Sequence, residues 1–415
     1  MKKFLFSMLA MLAIGSTAYG KDQLKVENLT ISNSAESAFM VYFYSDVKSS
    51  ISGLEFKIEL PEGVEFVKDG DGSDAAYAVG STFSGSVQAN ILSDGSLKVA
   101  MASGNYIRGY QGMLIAFKVK PTSSLEVGTL KGGKIKNITE TPDGQTITEL
   151  DDSPFDIEVT NCVVLDENSP FKPSNATNVD VLVKRAIKAN TWSTILLPIN
   201  VNNPKLKNAF GDDVKIAEFT GWSCDDETNV NDINIKFTTL ATPLIKKGTP
   251  YLIYVSKNIE EFTINSASID PGTSETIEKT ILNEDIYDDD EMEYAKGIMT
   301  GKYALHAMAA NDMFLQDNKF YYSVKGQNIK GLRATFRFKS PKGEDYLIPA
   351  NAGARAMFSI NGKPVDDDLT AINAKKYFKT GRVYSITGRF MGENVDMKSL
   401  PKGIYIVDGV KIIND

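Results

Sequence analysis

The sequence predicts an all-β protein of tandem antiparallel β-sandwiches followed by a small β tail domain. Three observations carry that expectation. Short runs rich in β-branched and aromatic residues recur along the 415-residue chain, separated by polar and glycine-bearing turns at sandwich-like intervals. One of them, Leu54-Glu55-Phe56-Lys57-Ile58-Glu59-Leu60, alternates strictly, so Leu, Phe and Ile face a core while the charges face water. Pro61-Glu62-Gly63 then ends the run, because proline removes a ladder donor and glycine permits the turn.

In chain order, residues 1–20 read as a signal peptide. Lys2-Lys3 form a basic start, Phe4 to Ile14 an apolar run too short to span a membrane, and Ala18-Tyr19-Gly20 a small-residue cleavage site. No later segment has the length of a transmembrane helix, so the mature chain is expected to start near Lys21 with none. Residues 21–160 form the first sandwich, with strands expected at Leu24–Leu29, Phe39–Tyr44, Leu54–Leu60, Val87–Leu92, Leu97–Met101, Met113–Val119 and Phe155–Val159. A linker is expected at 161–176, where Asp166 to Asn175 is polar and twice punctuated by proline.

The second β-rich domain, 177–362, is expected to be jelly-roll-like. Its strands include Trp192–Leu197, Val214–Thr220, Tyr251–Val255 and Lys319–Val324, and Leu206–Gly211 reads as a short helix closed by a left-handed glycine. A second linker, 363–379, holds Asp366-Asp367-Asp368. Residues 380–415 read as two or three short strands, too small a unit to bury a sizeable core alone.

Charge and composition exclude several functions. The net charge of −8 lacks the concentrated basic face that nucleic acid or anionic membrane would require. Cys162 and Cys224 lack the spacing of a zinc site, and either a disulfide between them or two separate buried thiols fits an exported chain. His306 is the single histidine and has no nucleophile elbow beside it. Two carboxylates suffice for a glycosidase, but among 53 acidic residues their presence discriminates nothing. The expectation is a protein that is not an enzyme and needs no cofactor.

Three features invite sharper readings. Asp69, Asp71 and Asp74 lie in a glycine-bearing loop whose oxygens suit a structural Ca²⁺, although Gly80 stands where an EF-hand places its glutamate; a solvated hairpin loop is the plainer alternative. Trp192, Trp222 and Tyr251 are candidates for an aromatic platform under sugar rings, against the alternative that they are core. Adjacent Tyr321 and Tyr322 must point to opposite faces, so at most one could join them. The acidic run Asp288-Asp289-Asp290-Glu291 reads as a self-repelling solvated loop.

Resemblances add to this. Ile51-Ser52-Gly53-Leu54-Glu55-Phe56-Lys57-Ile58-Glu59-Leu60-Pro61-Glu62-Gly63-Val64, with Gly112-Met113-Leu114-Ile115-Ala116-Phe117, resembles the cohesin-like sandwiches related to carbohydrate-binding modules. That resemblance implies a binding role toward glycan or protein. The stretch from Asn190-Thr191-Trp192 to Arg333-Ala334-Thr335-Phe336 resembles a region common in secreted surface proteins.

Arg382-Val383-Tyr384-Ser385-Ile386-Thr387-Gly388-Arg389, with Leu400-Pro401-Lys402-Gly403-Ile404-Tyr405-Ile406-Val407, resembles the C-terminal sorting domain of type IX (Por) secretion cargo. Tyr384, Gly388, Gly403 and Tyr405 carry the motif, while the ending Ile412-Ile413-Asn414-Asp415 departs from the basic finish common in that family. The resemblance implies a type IX export machinery as partner. It also implies passage through the periplasm to the surface of a Gram-negative bacterium or beyond. The expected function is therefore non-catalytic surface binding or adhesion. A self-associating, fimbria-like structural component and a carboxylate-based glycoside hydrolase are the alternatives.

Overall fold

The computed structural model describes residues 22–365 apart from 28, 46–49, 71, 73, 81–82, 109–110, 143, 225–231, 324–326 and 347–354, together with the later segments 372–373, 382–385, 390–393, 403–407 and 410–414. The expected signal peptide lies outside the described residues. The chain divides into two compact units, Met1–Lys184 with Glu261–Ser268, and Arg185–Glu260 with Ile269–Asp415. Both are built from strands, and the fold class is all-β.

The first unit is a sandwich of two sheets. One has the order Gln23–Val26, Ser37–Tyr44, Gln111–Pro121, Val64–Phe66, with Tyr77–Val79 also pairing with Gln111–Pro121. The other has the order Thr30–Ser32, Ser153–Thr160, Gly128–Pro142, Ser50–Glu59, Leu97–Arg108, Ser86–Ile91. Their inner faces share a core containing Phe39, Phe56, Ile58, Phe66, Phe117 and Phe155. The alternation expected for Leu54–Leu60 holds: Leu54, Phe56 and Ile58 are buried and Glu55 is exposed. Within these two sheets one pairing departs from an antiparallel plan, since Thr30–Ser32 runs parallel to Ser153–Thr160.

The longest strand, Gly128–Pro142, was not among those expected, and its composition explains why. Its first half is Gly128-Thr129-Leu130-Lys131-Gly132-Gly133, which lacks a β-branched run. Gly133 is required by packing, because a Cβ there would lie 2.2 Å from the Phe155 ring. Within the stretch 161–176, expected as a linker, Val163–Asp166 is a strand pairing in parallel with Ala176–Lys184. Its apolar Val163-Val164-Leu165 supplies the strand, and the polar, proline-bearing part alone behaves as a loop.

The second unit contains another sandwich. Its first sheet has the order Trp192–Ile195, Tyr251–Tyr254, Lys215–Cys224, Asp232–Thr239, Arg355–Ile360, Lys363–Pro364, and the pairing of Asp232–Thr239 with Arg355–Ile360 is parallel. Its second has the order Ile277–Asp288, Glu293–Lys302, Arg333–Lys339, Met313–Gln316, Lys319–Tyr322, Ile372–Asn373. Phe219, Phe237, Phe320, Phe336, Phe338 and Phe358 fill the space between them. The region expected to be jelly-roll-like is thus a two-sheet sandwich in which sheet neighbours are often chain neighbours.

The helix runs Asn203–Phe210, starting earlier than expected because Asn202 caps it, its Oδ1 accepting from the Lys205 N–H at 3.2 Å. Leu206 and Phe210 are its buried residues. Gly211 ends it at φ 101° and ψ 167°, an extended positive-φ conformation open to glycine and distinct from the left-handed cap expected.

The tail forms an antiparallel four-stranded sheet, with order Phe390–Glu393, Arg382–Ser385, Gly403–Val407, Val410–Asn414.

Candidate functional site

A cleft-bearing surface of the first unit arises where its sheet edges meet. After Val64–Phe66 the chain leaves Gln111–Pro121 as a hairpin and rejoins it at Tyr77. Val67 N–H donates to Lys118 O at 2.9 Å, and Lys118 N–H donates to Ala76 O at 3.0 Å. Within the hairpin, Lys68 bridges Ala75, and Asp69 N–H donates to Asp74 O at 2.8 Å. Its far side reaches the other sheet: Ala75 N–H donates to Ala89 O at 3.0 Å, and Asp74 bridges Asn90 on the edge strand Ser86–Ile91. The hairpin therefore joins the two sheet edges and covers backbone groups that an open sandwich would expose.

Beside this seam lies an open cleft of about 480 Å³, within the range of small-ligand sites. It is lined by Lys68, Asp69, Tyr77, Lys118 and Phe171 among others. Tyr77 is 39% exposed, and its hydroxyl donates to Val87 O at 3.4 Å, which fixes the ring. Phe171 comes from the loop after Asp166. That loop is built by side-chain turns: Asn168 N–H donates to Asp166 Oδ1 at 2.8 Å, and Phe171 N–H to Ser169 Oγ at 3.2 Å. Burial pushes the Asp166 carboxyl up, and Lys184, 3.8 Å away, acts against that shift. Lys118 Nζ stands 5.6 Å from the Phe171 ring centroid and 3.4 Å from Glu36. The cleft thus combines two aromatic rings, two ammonium groups and one carboxylate, an arrangement suited to holding a ligand by contact and hydrogen bonds.

The residues singled out in the sequence fall elsewhere or only partly here. Asp69 and Asp74 sit on the hairpin; Asp69 spends Oδ1 on the N–H of Gly72 at 3.1 Å, which takes φ 79° in the turn. Asp71 lies outside the described residues, and among the described residues no group of three His, Cys, Asp or Glu is placed to hold a metal. The aromatic platform is corrected: Trp192, Trp222 and Tyr251 are buried, so none presents a ring face to a sugar. Trp222 packs 5.0 Å from Phe338, and its indole N–H donates to Ile281 O at 3.3 Å, because a sandwich core takes its large rings from both sheets. Tyr321 is buried and Tyr322 is half-buried.

His306 donates from Nδ1 to Ala304 O at 2.9 Å, and burial pushes its pKa down. Cys162 and Cys224 are not joined in a disulfide. In the tail, Tyr384 pairs with Ile406, Ser385 with Tyr405, and Gly403 with Asn414; Gly388 lies outside the described residues. No described helix is long and apolar enough to cross a membrane.

Sequence reasoning missed Tyr77 and Phe171 because both follow polar turns and meet only through the fold. It also missed a pair of buried carboxyls at the end of the first sandwich. Glu140 and Asp22 are both buried, and the Glu140 carboxyl is pushed up to about 8, by burial first and then by Asp22 beside it. Folded Glu140 therefore keeps its proton where the unfolded chain has lost it. Its contribution to stability is intact below the ordinary glutamate range and is lost as pH rises toward about 8. Glu140→Gln, a permanent mimic of the protonated form, should be more stable than the parent at pH 8, by ~2 kcal/mol after solvent screening and seen as a higher melting temperature, and match it near pH 5. Equal melting shifts at both pH values would refute this.

No protein-family model matches the chain, and no curated protein matches it. Among solved structures it is similar to the seventh ScaB type I cohesin from Pseudobacteroides cellulosolvens, at 11% identity and TM-score 0.27, covering 34% of this chain and 92% of that one. It is likewise similar to the sixth cohesin of scaffoldin B from Acetivibrio cellulolyticus, at 18% identity and TM-score 0.27, over 34% of this chain and 99% of that one. A non-cellulosomal cohesin from Archaeoglobus fulgidus gives 12% identity, TM-score 0.26, and coverage of 34% and 91%. At these scores the likeness carries no functional weight, and the sandwich is defined by its own pairings.

Proposed function

We propose that the protein is a non-catalytic surface-binding or adhesion protein whose first sandwich takes the ligand, a glycan or a surface protein, in the cleft beside the 67–76 hairpin. The observation that carries this reading is the cleft itself, where Tyr77 and Phe171 offer ring surface and Lys68, Lys118 and Asp69 offer polar partners. Delivery to the cell surface through the C-terminal sorting tail belongs to the same reading, supported by the motif around Tyr384, Gly388, Gly403 and Tyr405.

The test is binding of the mature chain to a glycan array and to intact cells, repeated with Tyr77→Ala and Phe171→Ala. Each variant is expected to weaken binding about tenfold while leaving the melting temperature nearly unchanged. Undiminished binding by both would move the site away from the cleft, and release of reducing sugar from polysaccharide would overturn the non-catalytic assignment. Deleting residues 380–415 should strand the protein in the periplasm; surface delivery of the truncated chain would remove the tail from the proposal.

A further inference from the structure

The second unit carries an exposed apolar patch that the reading above does not use. Ile277–Asp288 is the edge strand of its sheet, hydrogen-bonded within that sheet to Glu293–Lys302. At the hairpin's end Tyr287 lies opposite Tyr294, their ring centroids 4.7 Å apart and planes inclined at 49°. Both rings face water, at 44% and 36% exposure, and Leu282 and Met292 are exposed beside them. A ladder irregularity between Asn283 and Tyr287 turns this end out of register with the rest of the strand.

The charge around the patch is one-sided. No lysine or arginine occurs between Lys279 and Lys296, while that interval holds Glu284, Asp285, Asp288, Asp289, Asp290, Glu291 and Glu293. Two of these are neutralised, Asp288 by Lys342 at 3.6 Å and Glu293 by Lys296 at 2.8 Å. Asp288 also accepts from the N–H groups of Asp290 and Glu291, each at 3.0 Å, which shapes the tight turn. Glu284, Asp285, Asp289, Asp290 and Glu291 have no ion-pair partner among the described residues.

We propose that this hairpin end docks an extended, cation-rich segment of a partner protein. The five unneutralised carboxylates supply the complementary potential, and the inclined tyrosines offer their faces to arginine or lysine. The strand ends its sheet, the position at which an added strand pairs, and of its carbonyls Ile281 O is already taken by the Trp222 indole. A second copy bringing the same edge would meet like charge. The two rings share no common plane, so they form no flat platform for a pyranose.

The test uses the full mature chain and two labelled peptides, one alternating arginine with valine and one alternating glutamate with valine, followed by fluorescence anisotropy. The basic peptide should bind at low salt, weaken at least tenfold in 0.5 M NaCl, and lose about tenfold in affinity to Tyr287→Ser/Tyr294→Ser. The acidic peptide should not bind. Asp289→Asn/Asp290→Asn/Glu291→Gln should cost a similar factor, and it carries the test alone if the tyrosine variant fails to fold. Absence of basic-peptide binding at low salt overturns the proposal. So does binding indifferent to both variants, or saturable, tyrosine-dependent capture of a neutral oligosaccharide in its place. Variants at Tyr77 and Phe171 should leave peptide binding unchanged, which separates this surface from the cleft.

Discussion

Phe336→Ala is expected to lower the stability of the second unit by ~3–5 kcal/mol, the cost of a large aromatic cavity in a packed core. Phe336 is fully buried on Arg333–Lys339, where its ring meets those of Phe219, Phe237 and Phe320 edge-on at 6.2, 6.0 and 5.2 Å. These rings come from both sheets, so truncation empties the middle of the sandwich and the neighbours cannot close over it without leaving their own strands. Urea unfolding measures the loss, with Tyr287→Ala as an exposed control expected to change stability by less than ~0.5 kcal/mol. A loss below ~1 kcal/mol for Phe336→Ala would mean that this core is not packed as described.

Arg185→Ala should be nearly as damaging. The Arg185 side chain is fully buried, and its guanidinium donates to Ala186 O at 3.1 Å and to Thr194 O. Thr194 in turn accepts the Ala334 N–H on its hydroxyl at 3.1 Å, so one arginine fixes a strand that receives a hydrogen bond from the opposite sheet. Truncation strands buried carbonyls and opens a void, together costing ~3 kcal/mol. Lysine should not rescue it, because a single ammonium cannot reproduce the planar fork. Methionine should recover part of the loss by filling volume. If alanine and methionine unfold at the parent's urea midpoint, the buried guanidinium contributes nothing to this fold.

Much of the fold was legible because alternation is a local property. Leu54 to Leu60 announces its buried face without knowledge of its partners, and Ser37–Tyr44 and Gln111–Pro121 grow from apolar runs visible in the chain. Gly128–Pro142 was opaque for the opposite reason: its Gly133 is dictated by Phe155 on the neighbouring strand. The site was less legible still. For Trp192, Trp222 and Tyr251 the sequence left a ligand-facing platform and core both open, because which side of a strand faces out is decided by the sheet that covers it. Tyr77 and Phe171 lie far apart in the chain and share a cleft only because the hairpin and the Asp166 loop converge. Tyr287 and Tyr294 carried one faint signal, two tyrosines symmetrically placed about an acidic turn, which becomes meaningful only when the register sets them opposite.

The parallel pairing near the ends of the first sandwich has a mechanical consequence. Thr30–Ser32 and Ser153–Thr160 meet through Glu158–Thr30, Val159–Ile31 and Thr160–Ser32, with Asn33 N–H donating to Thr160 O at 2.7 Å and Glu158 N–H to Leu29 O at 2.9 Å. Tension applied to the chain on either side of the sandwich pulls two parallel strands past each other lengthwise. Such loading strains these bonds together, whereas a terminal hairpin would peel open one bond at a time. Force reaching the sandwich along the chain is thereby carried by these bonds in shear.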